Sequence, residues 1–344
     1  MNDQPENGFD FAALLPGMGV FGGVRRFVEI GNELVRRGHR FTIYHPDGTR
    51  PDWLPFAGAV RPLAEAVQAR HQIVICNDPP LLDDFARMRA DLKMFYFVLE
   101  NIRGERSIAR HPEWTIIANS TGMARRLRRR YRVRAEKVVG GINLDTFRPR
   151  RVVPDDDYRI LTFGRVSRRK KGVPIVVKAV ESLARRLTGP RGAERRPPKL
   201  VLFDHMGPGN ERDPRDGFRC SVPHEFHINL PQDDLARLYS SCDVFVSAEK
   251  RAGWANTVAE AMACGLPVVC TRSGALDLAI HGETAWVVRR HRWFVERGLR
   301  AMYGHPGDAR RLSECALERV RMYGWDRVAD QLLEVVRDRL GVSP

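Results

Sequence analysis

The chain has 344 residues, enough for about two domains and for a core that needs no disulfide or metal to hold it. A formal charge of +15 favours polyanionic partners, whether nucleotide phosphates, anionic lipid or nucleic acid, and does not choose among them. Six scattered cysteines form no CxxC pair and no zinc-spaced Cys/His cluster, and no apolar run approaches the ~20 residues of a membrane-spanning helix.

The scattered cysteines suit a reducing cytoplasm, and the polar start MNDQPENG lacks the basic and apolar runs of a signal peptide, so a cytoplasmic protein, soluble or peripheral at the inner membrane face, is expected. Phe9–Leu15 predicts a buried strand, Pro16–Gly23 a glycine-rich loop, and Val24–Arg37 a helix. Val24, Phe27, Val28, Ile30, Leu34 and Val35 share one face of that helix. Gly38 suits a left-handed cap, and Arg40–Tyr44 supplies the next strand. This βαβ opening predicts a parallel sheet. Further strands are expected at Gln72–Cys76, Lys93–Leu99 and Trp114–Ala118. Thr121–Arg134 (TGMARRLRRRYRVR) predicts a basic amphipathic helix and turn, and Arg125–Arg134 is a candidate contact for an anionic membrane surface. Arg148–Asp157 (RPRRVVPDDD) has the composition of a linker.

The second half restarts the pattern. Tyr158–Phe163 predicts a strand, Gly164–Gly172 a basic loop and Val173–Leu187 a helix. Strands are then expected at Leu200–Phe203, Glu225–Leu230, Val244–Ala248 and Val268–Thr271, with helices at Gln232–Ser241 and Asn256–Cys264. Two α/β halves predict two Rossmann-like domains facing a cleft, at residues 1–150 and 151–324.

Four constellations carry chemistry. Gly17, Gly19 and Gly22 match GxGxxG between a strand and a helix, but no acid closes the second strand, so a dinucleotide is disfavoured. Either a tight turn or close backbone approach to a diphosphate at Gly22-Gly23 remains. Arg165, after one strand, and Lys170-Lys171, before the next helix, are placed to neutralise a diphosphate leaving group. Solvated surface cations are the alternative. Asn256-Thr257 opens a helix whose free N–H groups suit a phosphate. Glu260, one turn in, either accepts hydrogen bonds from ribose hydroxyls or completes a T-x-x-E capping box with Thr257.

The segments DDLARLYSSCDVFVSAE, TVAEAMACGLPVVCT and SGALDLAIHGETAWVV, together with Gly22-Gly23-Val24 and Arg37-Gly38-His39, resemble the retaining glycosyltransferases of family 4. So do Ile117-Ala118-Asn119-Ser120, Asn143–Pro149 (NLDTFRP) and Gly324-Trp325-Asp326-Arg327-Val328. The resemblance implies the GT-B fold, with a helix at about 325–344 returning to the N-terminal domain. It implies that Arg165 and Lys171 (or Lys170) bind the donor diphosphate, that Glu260 binds ribose, and that Thr257 and Val258 give backbone N–H groups to phosphate. Asn256 lies at the same helix start. Gly22 and Gly23 would line the diphosphate from the other domain. A second glutamate is usual eight positions before the first-turn carboxylate, and Ala252 stands there. Glu249 is the nearby substitute, and Glu100 and Asn101 are the acceptor-side candidates.

The implied activity is transfer of a hexose-type sugar from a nucleotide diphosphate to an acceptor hydroxyl, with retention and without metal or other cofactor. The acceptor is a glycan, a lipid-linked glycan or a small molecule. A non-catalytic nucleotide-sugar-binding protein is the first rival. A nucleic-acid-binding protein is the second, and it lacks a reading motif, so no nucleic acid is expected.

Overall fold

A computed structural model describes residues 8–152, 156–187, 196–207 and 211–342. The chain forms two compact units, Met1–Gly141 with Trp325–Pro344, and Ile142–Gly324.

The first unit contains β1 (Asp10–Leu14), α1 (Gly22–Arg36), β2 (Arg40–His45), β3 (Ala59–Pro62), β4 (Arg70–Cys76), α2 (Leu82–Arg87), β5 (Arg89–Phe97), α3 (Glu105–Ala109), β6 (Thr115–Ala118), α4 (Thr121–Tyr131) and β7 (Glu136–Lys137). Its sheet is parallel throughout, in the order β3-β2-β1-β4-β5-β6-β7. Strands buried on both faces must be apolar along their whole length, as Phe11–Leu14 and Ile73–Cys76 are. Helix α1 turns Val24, Phe27, Val28, Ile30 and Leu34 inward, and Gly38, at φ +85°, ends it by donating to the Val35 carbonyl at 3.0 Å.

The second unit contains β8 (Tyr158–Phe163), α5 (Val173–Leu187), β9 (Pro198–Asp204), β10 (His224–Ile228), α6 (Gln232–Ser240), β11 (Val244–Ser247), α7 (Asn256–Ala263), β12 (Val268–Cys270), β13 (Trp286–Val287), α8 (Arg292–Gly304) and α9 (Pro306–Val320). Its sheet is also parallel, in the order β10-β9-β8-β11-β12-β13. The last helix, α10 (Trp325–Leu340), belongs to the first unit, where Arg37 pairs with Asp330 at 2.6 Å and Gln331 accepts from the Val139 N–H at 3.0 Å.

The chain divides between Gly141 and Ile142, ahead of the expected linker. The described part of Arg148–Asp157 packs within the second unit instead. Pro149 lies where a β-carbon on Gly265 would touch it at 3.3 Å, and Arg150 donates to the Thr146 carbonyl and pairs with Asp233. Charge gave this stretch the look of a linker, and local ion pairs hold it down. Residues 153–155 of it lie outside the described residues, as do 188–195 and 208–210. Strands β3, β7 and β13 had no sequence signal because each is short and at most half-buried. Cys264 and Cys270 pack as small apolar groups, and burial pushes both thiols up to about 12. No helix among the described residues is long and apolar enough to cross a membrane.

Candidate functional site

In a doubly wound sheet the chain leaves neighbouring strands in opposite directions where the strand order reverses, opening a crevice at their carboxyl ends. In the second unit that reversal falls at β8, which lies between β9 and β11. The turn after β8 carries Arg165, and the turn after β11 carries Glu249. Two residues 84 positions apart are thereby brought to adjacent strand ends.

Phe163, the last residue of β8, is the floor of this place. The Arg165 guanidinium and the Lys171 ammonium both lie 5.1 Å from its ring centroid. Asp204, at the end of β9, holds the Arg165 fork through Nε at 3.1 Å and Nη2 at 2.9 Å, and the His205 carbonyl accepts from Nη2 at 3.2 Å. Among the described residues nothing bonds Arg165 Nη1, so the guanidinium is oriented with one edge open. Lys171 donates to Glu249 at 2.6 Å. Lys170 is half-buried and has no ion pair among the described residues; burial, and then the neighbouring Lys171 ammonium, pull its pKa below the ordinary lysine value. The three cations named from the sequence therefore meet in one place.

The loops that carry them are cross-tied. Gly172, at φ +77°, lies so close to Ala248 that a β-carbon would come within 2.3 Å of its carbonyl oxygen. The Lys250 N–H donates to the Lys170 carbonyl at 2.9 Å, and Thr271 Oγ1 donates to the Glu249 carbonyl at 2.5 Å. Arg290 straddles both loops, donating to the Ala248 carbonyl at 2.7 Å and the Arg169 carbonyl at 2.8 Å.

Glu260 is buried on α7, and Tyr239 donates to its Oε2 at 2.9 Å. The Tyr239 ring lies 5.4 Å from that of Phe203, which lies 5.5 Å from that of Phe163. A continuous aromatic row thus connects the cations to the carboxylate. The capping box, the alternative role for Glu260, is not formed. Ala255, whose own N–H donates to the Gly274 carbonyl at 3.0 Å, is the N-cap residue. Thr257 is therefore already inside the helix, and no side chain caps it. The Val258 N–H donates to the Ala255 carbonyl at 3.0 Å, so among the described residues the amides left open at this end are those of Asn256 and Thr257. Ala252 offers no carboxylate. Its N–H donates to Ser273 Oγ at 2.9 Å, and Glu249 remains on Lys171.

The first unit has its own reversal at β1, between β2 and β4. Gly22 and Gly23 form the first turn of α1 there, with no side-chain cap. A β-carbon on Gly23 would stand 3.1 Å from Asn77 Nδ2, just beyond β4, and Asn77 Oδ1 is buried without a partner. Glu100 and Asn101 follow β5 and meet α4: Arg126 donates to Asn101 Oδ1 at 2.9 Å and lies 3.9 Å from Glu100. Arg126 also pairs with the buried Glu105, which accepts from the Tyr131 hydroxyl at 2.8 Å. Met123, Leu127 and Tyr131 are buried in the core. The basic helix is therefore solvated on its arginine side, with no apolar side chain left to enter a bilayer.

Asp204, Tyr239 and Arg290 were not singled out by sequence reasoning. Asp204 had a usable signal, an acid ending the buried run Leu200–Phe203. Tyr239 and Arg290 had none, since their partners lie more than twenty residues away.

The family described as "Glycosyl transferases group 1" matches residues 157–300. That segment, which holds Arg165, Lys171, Glu249 and Glu260, is thus similar to the group 1 glycosyltransferases. The D-inositol 3-phosphate glycosyltransferase of Nocardiopsis dassonvillei is 29% identical over 259 residues, covering 69% of this chain and 58% of the relative. Its counterpart in Thermomonospora curvata is 28% identical over 252 residues, covering 64% and 56%. The chain thus spans a little over half the length of these curated relatives. Among solved structures, a glycosyltransferase from Rickettsia africae has a TM-score of 0.76 at 16% identity, covering 98% of this chain and 100% of that one. HepE from Anabaena, solved with UDP and glucose, has a TM-score of 0.72 at 15% identity, covering 96% and 100%. These likenesses show the fold, two parallel-sheet α/β units of the GT-B type.

Proposed function

We propose that the protein is a glycosyltransferase that takes a hexose-type sugar from a nucleotide diphosphate and passes it to an acceptor hydroxyl with its anomeric configuration retained. The observation that carries this is the meeting of Arg165, Lys170 and Lys171 at the switch point of the second unit. As the sugar–phosphate bond breaks, charge builds on the departing diphosphate. Arg165, already oriented by Asp204, stabilises that charge without reorganising at the moment of reaction, and the two lysines add to it. No metal is needed in this scheme.

Each remaining group takes a part. The open amides of Asn256 and Thr257 meet a phosphate. Glu260, held by Tyr239, accepts from ribose hydroxyls. Glu249 is the carboxylate nearest the vacant role of Ala252, and an arriving phosphate that draws Lys171 away leaves it free to bind sugar hydroxyls. HepE, which binds UDP-glucose, supports this donor class. The acceptor is a glycan, lipid-linked glycan or small molecule, and Glu100 and Asn101 are its candidate contacts.

Incubating the protein with UDP-, GDP-, ADP- and TDP-sugars and an acceptor panel, with the product anomer read by proton coupling, tests this. Nucleotide release with a retained anomer is expected; binding without turnover on any acceptor would instead support a non-catalytic nucleotide-sugar-binding protein. Glu260→Gln should weaken the preferred donor about 10-fold or more, the worth of a hydrogen bond to a charged group. An unchanged dissociation constant in calorimetry would remove the ribose role.

A further inference from the structure

The start of α8 shows a surface unlike any other among the described residues. Trp293 is 67% exposed and its neighbour Phe294 is 39% exposed, at the first turn of a well-formed helix. Arg289, Arg292, Arg297 and Arg300 are exposed around them. From Thr284 to Gly307 the only acid is Glu296. It is 6% exposed and lies 3.3 Å from Arg186 and 4.0 Å from Arg300. Within this stretch every exposed Lys, Arg, Asp or Glu is therefore an arginine, beside two large rings, and the exposed acids Glu283 and Asp308 bound it in sequence.

We infer that this patch docks the protein on an anionic bilayer surface. Indole and phenyl rings gain by entering the headgroup region, and arginines beside them pair with lipid phosphates. The arrangement favours lipid over single-stranded nucleic acid, where bases must stack on open ring faces. Here each ring has a guanidinium over one face: Arg292 lies 5.9 Å over Trp293 and Arg289 lies 5.8 Å over Phe294. The contrast with α4 points the same way. That helix offers arginines alone, its apolar side chains being spent in the core, whereas α8 offers charge and insertion together. Arg290, in the middle of the patch sequence, clasps the loops that hold Lys171 and Glu249, so docking places the cation cluster beside the membrane.

Co-sedimentation of the full chain with vesicles tests this, using phosphatidylcholine alone and phosphatidylcholine mixed equally with phosphatidylglycerol. Binding is expected only with the anionic lipid and should weaken with salt. Trp293→Ala/Phe294→Ala should lower the association constant about 10-fold or more, and Trp293→Ala alone, at a ring 67% exposed, should weaken binding with little change in Tm. Arg128→Ala/Arg129→Ala/Arg130→Ala on α4 should lower it less. Failure of the wild type to sediment, wild-type binding by the double variant, or a parallel loss of oligothymidylate binding in that variant would each overturn the inference.

Discussion

Arg165→Met is expected to cost both stability and turnover, and a second substitution should restore only one of them. The Asp204 side chain is 1% exposed and loses its guanidinium partner in the single variant. An unpaired carboxylate at such a site typically costs about 3–5 kcal/mol. Replacing both members of a buried pair by apolar groups is often nearly neutral. Arg165→Met/Asp204→Leu should therefore melt close to the wild type while remaining slow. With the guanidinium gone, turnover should fall about 10²–10³-fold, the usual cost of removing one donor from a developing anion. Melting curves and transfer rates, corrected for the folded fraction, give both numbers. Recovery of rate together with stability in the double variant would reduce Arg165 to a structural residue.

Gly172→Ala has the second largest expected effect. The residue is left-handed at φ +77°, and its β-carbon would press on the Ala248 carbonyl at 2.3 Å. The conformation costs a side chain about 1–2 kcal/mol, and forced overpacking adds about 1–3 kcal/mol. Together these predict a fall in Tm of roughly 4–20 °C for a unit of this size. Activity should fall further than stability explains, because Gly172 follows Lys171 directly and Ala248 precedes Glu249. Moving that contact displaces both ends of the Lys171–Glu249 pair. A variant that melts early yet keeps wild-type donor affinity when folded would show the contact to be packing alone.

Much of the architecture could be read from hydrophobic periodicity, and the reason is the parallel sheet. Strands such as Ile73–Cys76 and Leu200–Phe203 are buried on both faces and so appear as unbroken apolar runs. The alternation of such runs with amphipathic helices gives βαβ units, and the ends of the central strands then locate the site. Arg165 and Lys170-Lys171 were legible because they flank a strand end and a helix start. What stayed hidden depends on partners distant in sequence. Arg26 looks like a surface residue of α1 but is 3% exposed, bonded to Tyr96 at 2.6 Å and to the Val139 carbonyl at 3.1 Å. Arg126 sat in an arginine-rich run, with nothing local to show that it turns toward Glu105 and Asn101. The capping box matched in spacing and failed in place, since Ala255 rather than Thr257 opens α7.

The central claim is that oriented cations of the second unit hold a nucleoside diphosphate. A thermal-shift series with UDP, GDP, ADP and TDP, run on the wild type and on Arg165→Met/Asp204→Leu, tests it most directly. A ligand that binds the folded state raises Tm in proportion to its affinity. At least one nucleotide should stabilise the wild type, and that shift should shrink or vanish in the double variant. If no nucleotide shifts the wild type, or the double variant shifts equally, the diphosphate does not rest on Arg165 and the account fails.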